Sequence, residues 1–149
     1  MPKFTLDLGS TDGDQPYAAL DKFTQGYIEA MFFTNTGTED DEELRDVTFS
    51  DLAPETLERI IADCAGFQQT NAFELARAYD YPGIDYDETK AGRDFWYTRN
   101  GHGTGFWDRD MRDLNTCGPG GTLSSACGWR TQFEKTDLYL GDDGLLYLS

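Results

Sequence analysis

The feature that most constrains the fold of this chain is a run of apolar residues at helical spacing. Apolar side chains recur every three or four positions at Leu57, Ile60, Ile61, Cys64 and Phe67. That spacing lines one face of an α-helix. Pro54 suits a first-turn position, and Ser50 or Asp51 just upstream is a candidate cap. The pattern predicts an amphipathic helix over residues 54–70.

Two further segments share this periodicity. Residues 17–34 carry a broad apolar face made of Leu20, Phe23, Tyr27, Ile28 and Met31. Residues 71–80 resume the pattern after the helix predicted over residues 54–70, either as a separate helix capped at Asn71 or as a bent continuation. Pro82 and Gly83 end it.

The second half of the chain changes character. Residues 94–109 are rich in strand-favouring aromatics and are interrupted by Asn100-Gly101, which predicts a hairpin with a glycine-rich tip. Residues 137–148 carry two Leu/Tyr runs around Gly-Asp-Asp-Gly, which predicts another hairpin. The expected fold is α+β: a small antiparallel sheet of hairpins packed against two or three amphipathic helices, in one domain over residues 1–149.

Charge is distributed unevenly along the chain. Its net charge is −16. Residues 1–89 hold 5 Lys/Arg against 20 Asp/Glu, a net of −15, and residues 90–149 hold 7 against 8, a net of −1. Such a chain repels phosphate backbones and attracts basic surfaces. Direct binding of nucleic acid is therefore disfavoured, and a basic protein partner is expected.

The acidic half offers specific candidates for contact with such a partner. They are Glu39, Asp40, Asp41, Glu42, Glu43, Asp46 and Asp51. Duplex DNA carries one charge per about 1.7 Å of axis, so 16 charges match about 27 Å of duplex. The alternatives are a solvated loop, a helix first turn that acids suit, or acidity that serves only solvation in a halophilic host.

Cysteine and histidine usage predicts neither a disulfide framework nor a metal site. The chain has three cysteines, Cys64, Cys117 and Cys127, and one histidine, His102, without paired spacing. No acidic cluster fits an EF-hand loop. No cofactor is expected. The N-terminus lacks an apolar signal core, and no run approaches the roughly 20 apolar residues that span a bilayer.

Residues 92–110 concentrate the chain's chemically versatile side chains, which makes this segment the candidate for catalysis. His102 titrates near neutral pH, and Asp94, Asp108 or Asp110 could orient it. No recognisable nucleophile accompanies it, and the glycine spacing is GxGxG rather than the GxGxxG of dinucleotide-binding loops. The sequence favours binding over catalysis, with His102 and Asp108 as the candidate catalytic pair.

A single-strand binding surface is the other alternative for this segment. Aromatic residues such as Trp96 and Trp107 stand beside arginines, as in stacking platforms for single-stranded nucleic acid. Residues 93–113 nevertheless hold four arginines and four aspartates, so the segment carries no net charge. Local salt bridges and core packing are the simpler interpretation.

The strings DFWYTRNGHGTGFWDR at residues 94–109 and DLYLGDDG at residues 137–144 carry a family resemblance. With the helix upstream, the match covers residues 17–148 and resembles small, acidic proteins encoded by bacteriophages and prophages. The motif residues are Trp96, Arg99, Asn100, Gly101, His102, Gly103, Trp107, Asp108 and Arg109. The resemblance implies a phage context and a role in the host cytoplasm during infection, and it carries no catalytic assignment.

Charge and resemblance together give the leading hypothesis. The protein is expected to be an acidic binding protein that occupies a basic, nucleic-acid-binding surface of a host or phage protein, as a DNA-mimic inhibitor of a defence enzyme would. The alternatives are a small hydrolase-like or ligand-binding site around His102 and the single-strand binder described above.

Overall fold

The chain folds into helices and a small antiparallel hairpin. The computed structural model describes residues 17–36, 47–102, 104–106, 109, 123–128 and 131–149. Its elements, in order, are helices α1 (Lys22–Thr36), α2 (Pro54–Thr70), α3 (Ala72–Tyr79) and α4 (Glu88–Arg99), then strands β1 (Leu138–Leu140) and β2 (Leu146–Leu148). The α+β class is confirmed. Apolar residues alternate with polar ones over residues 4–8, which predicts a strand, and these residues lie outside the described ranges.

Helices α2 and α3 confirm the periodicity argument. Pro54 occupies the first turn of α2, and Asn71 separates α2 from α3, so the second segment is a distinct helix. The predicted caps are wrong, because Ala53 precedes the helix without a side-chain cap. Asp51 instead accepts a hydrogen bond from the Thr48 amide, 2.9 Å away, and closes a 3-10 turn over Phe49–Asp51.

Helix α1 starts later than its apolar pattern suggests. Tyr17–Ala19 forms a separate 3-10 turn, and α1 begins at Lys22. Asp21 sets that boundary, because its Oδ1 accepts a hydrogen bond from the Thr24 amide at 2.7 Å and so satisfies an unpaired N–H of the first turn. The predicted span of 17–34 therefore merges two elements.

Helix α4 overturns the predicted hairpin over residues 94–109. Asp87 caps this helix by accepting from the Lys90 amide at 2.9 Å, so the helix begins at Glu88, upstream of the predicted hairpin. The buried positions follow helical spacing at Ala91, Gly92, Asp94, Phe95, Trp96 and Arg99. Three of these are not apolar, so no continuous hydrophobic stripe marks the helix. Strand propensity of aromatics depends on context, and here helical packing overrides it.

Close packing of α1 against α4 explains two glycines. A Cβ on Gly92 would overlap the Phe23 carbonyl, and a Cβ on Gly26 would overlap the Thr89 carbonyl. Each glycine therefore lets one helix backbone approach the other directly. This contact fixes α4 and the motif that it carries against the centre of the fold.

An aromatic cluster fills the core between α1, α2 and α4. The Phe67 ring of α2 stacks on Phe95 of α4 with centroids 4.2 Å apart, and it packs against Phe23, Phe106 and Phe133 at 5.3 to 6.0 Å. Offset and edge-to-face pairs at these separations are favourable. Phe95 and Phe106, two aromatic residues of the segment predicted to be a possible stacking platform, are thus interior.

The C-terminal hairpin is confirmed. Strands β1 and β2 pair antiparallel, with Tyr139 opposite Tyr147. Gly144 turns the chain with a φ of 82°, a conformation that glycine adopts readily. The Ala53 amide donates to the Leu146 carbonyl at 3.1 Å, which joins β2 to the start of α2.

Candidate functional site

The motif segment begins with a tryptophan and an arginine that belong to the core. Trp96 is 2% exposed, donates from Nε1 to Thr34 Oγ1 at 2.8 Å and packs edge-on against Tyr27. Such a ring cannot stack on a nucleic-acid base unless α4 moves. The structure therefore gives Trp96 a packing role.

Arg99 is held by a buried network. It is 4% exposed, and its Nη1 donates to Asp63 Oδ2 at 3.0 Å and to the Tyr27 hydroxyl at 3.1 Å. Its Nε donates to the Glu134 carbonyl at 2.9 Å. Burial disfavours the charge, yet Tyr27 and Asp63 raise the pKa of Arg99 above its usual value. Arg99 thus ties α4 to α1, α2 and the C-terminal segment.

Asp94 is fully buried and carries a second ion pair. Arg109 donates to both of its carboxylate oxygens, from Nη2 at 2.7 Å and from Nε at 3.0 Å. The Tyr86 hydroxyl donates to Asp94 Oδ2 at 2.6 Å. Burial, followed by the Asp94 charge and this bond, raises the pKa of Tyr86 well above its usual value. The motif residue Arg109 therefore anchors the segment after α4 onto the helix.

His102 lies in the turn that follows α4. Asn100 ends the helix and accepts from the Thr136 amide at 2.9 Å, and Gly101 takes a φ of 70°. The His102 amide donates to the Tyr97 carbonyl at 3.0 Å, and the two rings lie edge to face. The turn predicted at Asn100-Gly101 is therefore present, but it closes a helix rather than a hairpin.

The surroundings of His102 offer little for acid–base catalysis. Burial and the nearby Lys135 lower its pKa from the usual 6.5, which favours the neutral form of the ring. Asp94, one of the predicted orienting residues, bonds Arg109 and Tyr86 instead. Within the described ranges no carboxylate bonds the imidazole. Asp108, the second residue of the candidate catalytic pair, lies outside those ranges, as do Gly103 and Trp107.

The described cysteines are structural. Cys64 and Cys127 are buried and unpaired with each other. Burial raises the pKa of Cys64 well above its usual value and that of Cys127 to about 12, which suppresses the nucleophilic thiolate. No group of three potential metal ligands occurs among the residues with described positions.

Six cations of the described chain are each engaged by a carboxylate. They are Arg59, Arg77, Lys90, Arg93, Arg99 and Arg109. Sequence reasoning anticipated local Arg–Asp pairs. It missed the partners Glu29 and Asp63, because they stand 64 and 36 positions from the arginines they bind.

Four exposed carboxylates and the half-buried Asp51 lie on two segments that contact each other, the start of α2 with the turn before it and the C-terminal hairpin. We call Asp51, Glu55, Glu58, Asp142 and Asp143 the hairpin face. Thr56 Oγ1 bonds the Leu146 carbonyl at 2.7 Å, so the first turn of α2 lies against β2. The hydrogen bond from the Tyr147 hydroxyl to Asp143 is the main cause that raises the pKa of Tyr147. The negative charge of Glu55 is a smaller contribution in the same direction. Glu55 is therefore electrostatically close to the hairpin.

The carboxylates of the hairpin face form no ion pair with any residue of the described chain. Asp51, a predicted partner-binding residue, is half-buried and serves the turn described above. The remaining predicted partner-binding residues lie outside the described part of the chain: Glu39, Asp40, Asp41, Glu42, Glu43 and Asp46.

Comparisons of the chain with protein-family models, with curated proteins and with solved structures gave no match. None of the described helices is both long and apolar enough to cross a membrane. The resemblance to phage proteins stays a prediction, and a functional proposal has to rest on the geometry of the chain itself.

Proposed function

We propose that the protein is an acidic binding protein that docks its hairpin face onto a basic surface of a nucleic-acid-binding protein. The observation that carries this proposal is the separation of charges: the described arginines are mostly held in internal ion pairs, while the hairpin-face carboxylates have no cationic partner there. A phage role against a host defence enzyme would be the concrete case.

The energetic basis is electrostatic. An excess of exposed carboxylates creates a negative potential that draws a basic partner and speeds its association. The rigid attachment of the hairpin to α2 supports the proposal, because fixed charges lose less entropy on binding than charges on a loose loop. The same carboxylates repel DNA, so the partner is protein.

Capture from bacterial lysate tests the proposal with two variants of equal net charge. The hairpin-face variant carries Glu55→Gln, Glu58→Gln and Asp142→Asn. The control variant carries Asp80→Asn, Asp85→Asn and Glu88→Gln, which neutralise exposed acids elsewhere. Three exposed ion pairs of up to about 0.5 kcal/mol each amount to about tenfold in affinity.

We expect the parent chain and the control variant to retain a basic nucleic-acid-binding protein that salt releases. We expect the hairpin-face variant to retain it about tenfold less tightly. Equal loss in both variants would show that only bulk charge matters. Partners without a basic surface would refute the proposed function.

A further inference from the structure

A cavity beside α4 and the segment that precedes it gathers positive charge in an acidic protein. Its volume is about 310 Å³, at the lower end of the range for small-molecule sites. It is lined by Ile84, Asp85, Tyr86, Lys90, Arg93 and Arg109. Three cations therefore face one cavity in a chain whose net charge is −16.

Two of these cations are held in place by carboxylates that lie outside the cavity lining. Arg93 donates from Nε and Nη2 to Glu29 Oε2 at 3.1 and 2.7 Å, and the Tyr17 hydroxyl donates to Glu29 Oε1 at 2.9 Å. Arg109 is held by the buried Asp94. Neither Glu29 nor Asp94 lines the cavity. The carboxylates thus orient the guanidinium groups as supporting residues do around a preorganised site.

Lys90 adds a charge that is more accessible. Its side chain is 42% exposed, and its Nζ donates to the Asp85 carbonyl. The Asp85 carboxylate lies 3.7 Å away and is fully exposed, so it neutralises Lys90 only weakly. Lys90 is therefore the cation of this cavity that a ligand can engage at the least cost to internal pairs.

We propose that this cavity binds a phosphate monoester, with the phosphate against Lys90 and Arg93 and the organic part against Ile84 and Tyr86. A phosphate monoester carries about −1.5 to −2 charge at pH 7 and pairs well with arginine forks. Acids more than about 8 Å away are screened at physiological salt, whereas Glu29, Asp85 and Asp94 pair with the cavity's cations and reduce the positive potential that attracts the ligand. This site is independent of the hairpin face.

Isothermal titration calorimetry with phenyl phosphate tests this proposal. We expect saturable one-to-one binding, weaker binding of inorganic phosphate, which lacks the apolar part, and none of phenol. Lys90→Gln should weaken binding of phenyl phosphate about tenfold, as expected for one charged hydrogen bond. Lys135→Gln, which removes an exposed lysine outside the cavity lining, should leave it unchanged.

Three results would overturn the proposal. They are no saturable binding of phenyl phosphate, equal loss of affinity in Lys90→Gln and Lys135→Gln, and benzoate binding as tightly as phenyl phosphate. Circular dichroism of both variants shows whether each is folded. Because Lys90 is well exposed, its substitution is expected to preserve the fold.

Discussion

The acidic side chains packed around α4 and those of the hairpin face contrast in their partners. Asp94, Asp63 and Glu29 each bond an arginine, and Asp94 is wholly removed from solvent. Glu55 and Glu58 are exposed and pair with no described cation. Acidic residues thus stabilise the fold around α4, whereas on the hairpin face they create a net negative potential.

The contrast shows that the described charged residues of the motif segment, Asp94, Arg99 and Arg109, stabilise the fold. A buried carboxylate is tolerated only with a charged, hydrogen-bonded partner, and Arg109, in the segment after α4, supplies that partner for Asp94. Exposed acids face no such requirement, so they are available to a partner protein.

The largest expected effect comes from unpairing Asp94. Arg109→Gln leaves a buried carboxylate without its cation, which should lower the free energy of unfolding by about 4 kcal/mol. Urea denaturation measures it. The double variant Arg109→Gln with Asp94→Asn removes the stranded charge and should recover part of the loss. If Arg109→Gln lowered the free energy of unfolding by no more than about 0.5 kcal/mol, a value typical of a surface site, the Asp94–Arg109 pair would contribute no more to stability than an exposed acidic residue does.

The next effect tests the packing of α4 itself. Gly92→Ala forces a methyl group into the Phe23 carbonyl, so we expect a loss of about 3 kcal/mol in urea unfolding. Gly66→Ala is the matched control, because its Cβ would meet only the Phe133 ring edge at 3.8 Å. Replacing a mid-helix glycine there should stabilise by about 0.5–1 kcal/mol. Equal changes at both positions would contradict the close α1–α4 contact.

A smaller effect is expected on the hairpin face. The Glu55→Gln, Glu58→Gln and Asp142→Asn variant should unfold within about 0.5 kcal/mol of the parent per substitution. Relief of repulsion offsets the lost interaction of Glu55 with the start of α2. Thermal unfolding at low and high salt separates the relief of repulsion from the lost helix interaction of Glu55, since salt screens the repulsion among the acids. A loss as large as that of Arg109→Gln would make this face structural.

The smallest effect concerns His102. Its pKa in the folded chain lies below the usual 6.5, so the unfolded chain binds the proton more tightly. Stability from this group is complete above pH 6.5 and declines as pH falls toward the folded pKa. Proton NMR should give a titration midpoint below 6.5, and Lys135→Gln should raise it. A midpoint above 6.5 would indicate an undetected acidic neighbour and reopen the catalytic hypothesis.

Sequence patterns predicted the elements whose signals are local. The apolar stripe of α2, the separate α3 and the turn glycines of the C-terminal hairpin were all legible, because spacing and turn chemistry act within a few residues. The pattern failed at α4. Its buried face includes Gly92, Asp94 and Arg99, whose roles depend on partners distant in sequence. The Asp87 cap was the available signal for this helix.

The candidate site was predicted less well than the fold. Charge imbalance pointed to an acidic surface, yet sequence could not show that the first turn of α2, which carries Glu55, adjoins the hairpin, since that follows from a tertiary hydrogen bond of Thr56. The motif pattern predicted a possible catalytic or binding site. Trp96 and Arg99 instead proved to be core, because a dense aromatic and charged string suits either role until burial is known.

Competition with DNA for the captured partner is the sharpest test of the proposed docking. Fluorescence anisotropy of a labelled DNA duplex bound to that partner should fall as the parent chain is added, and about tenfold more of the hairpin-face variant should be needed. The control variant with Asp80, Asp85 and Glu88 neutralised should compete like the parent. Undiminished anisotropy at saturating parent chain would contradict the account, because the exposed carboxylates would then not occupy the DNA-binding surface.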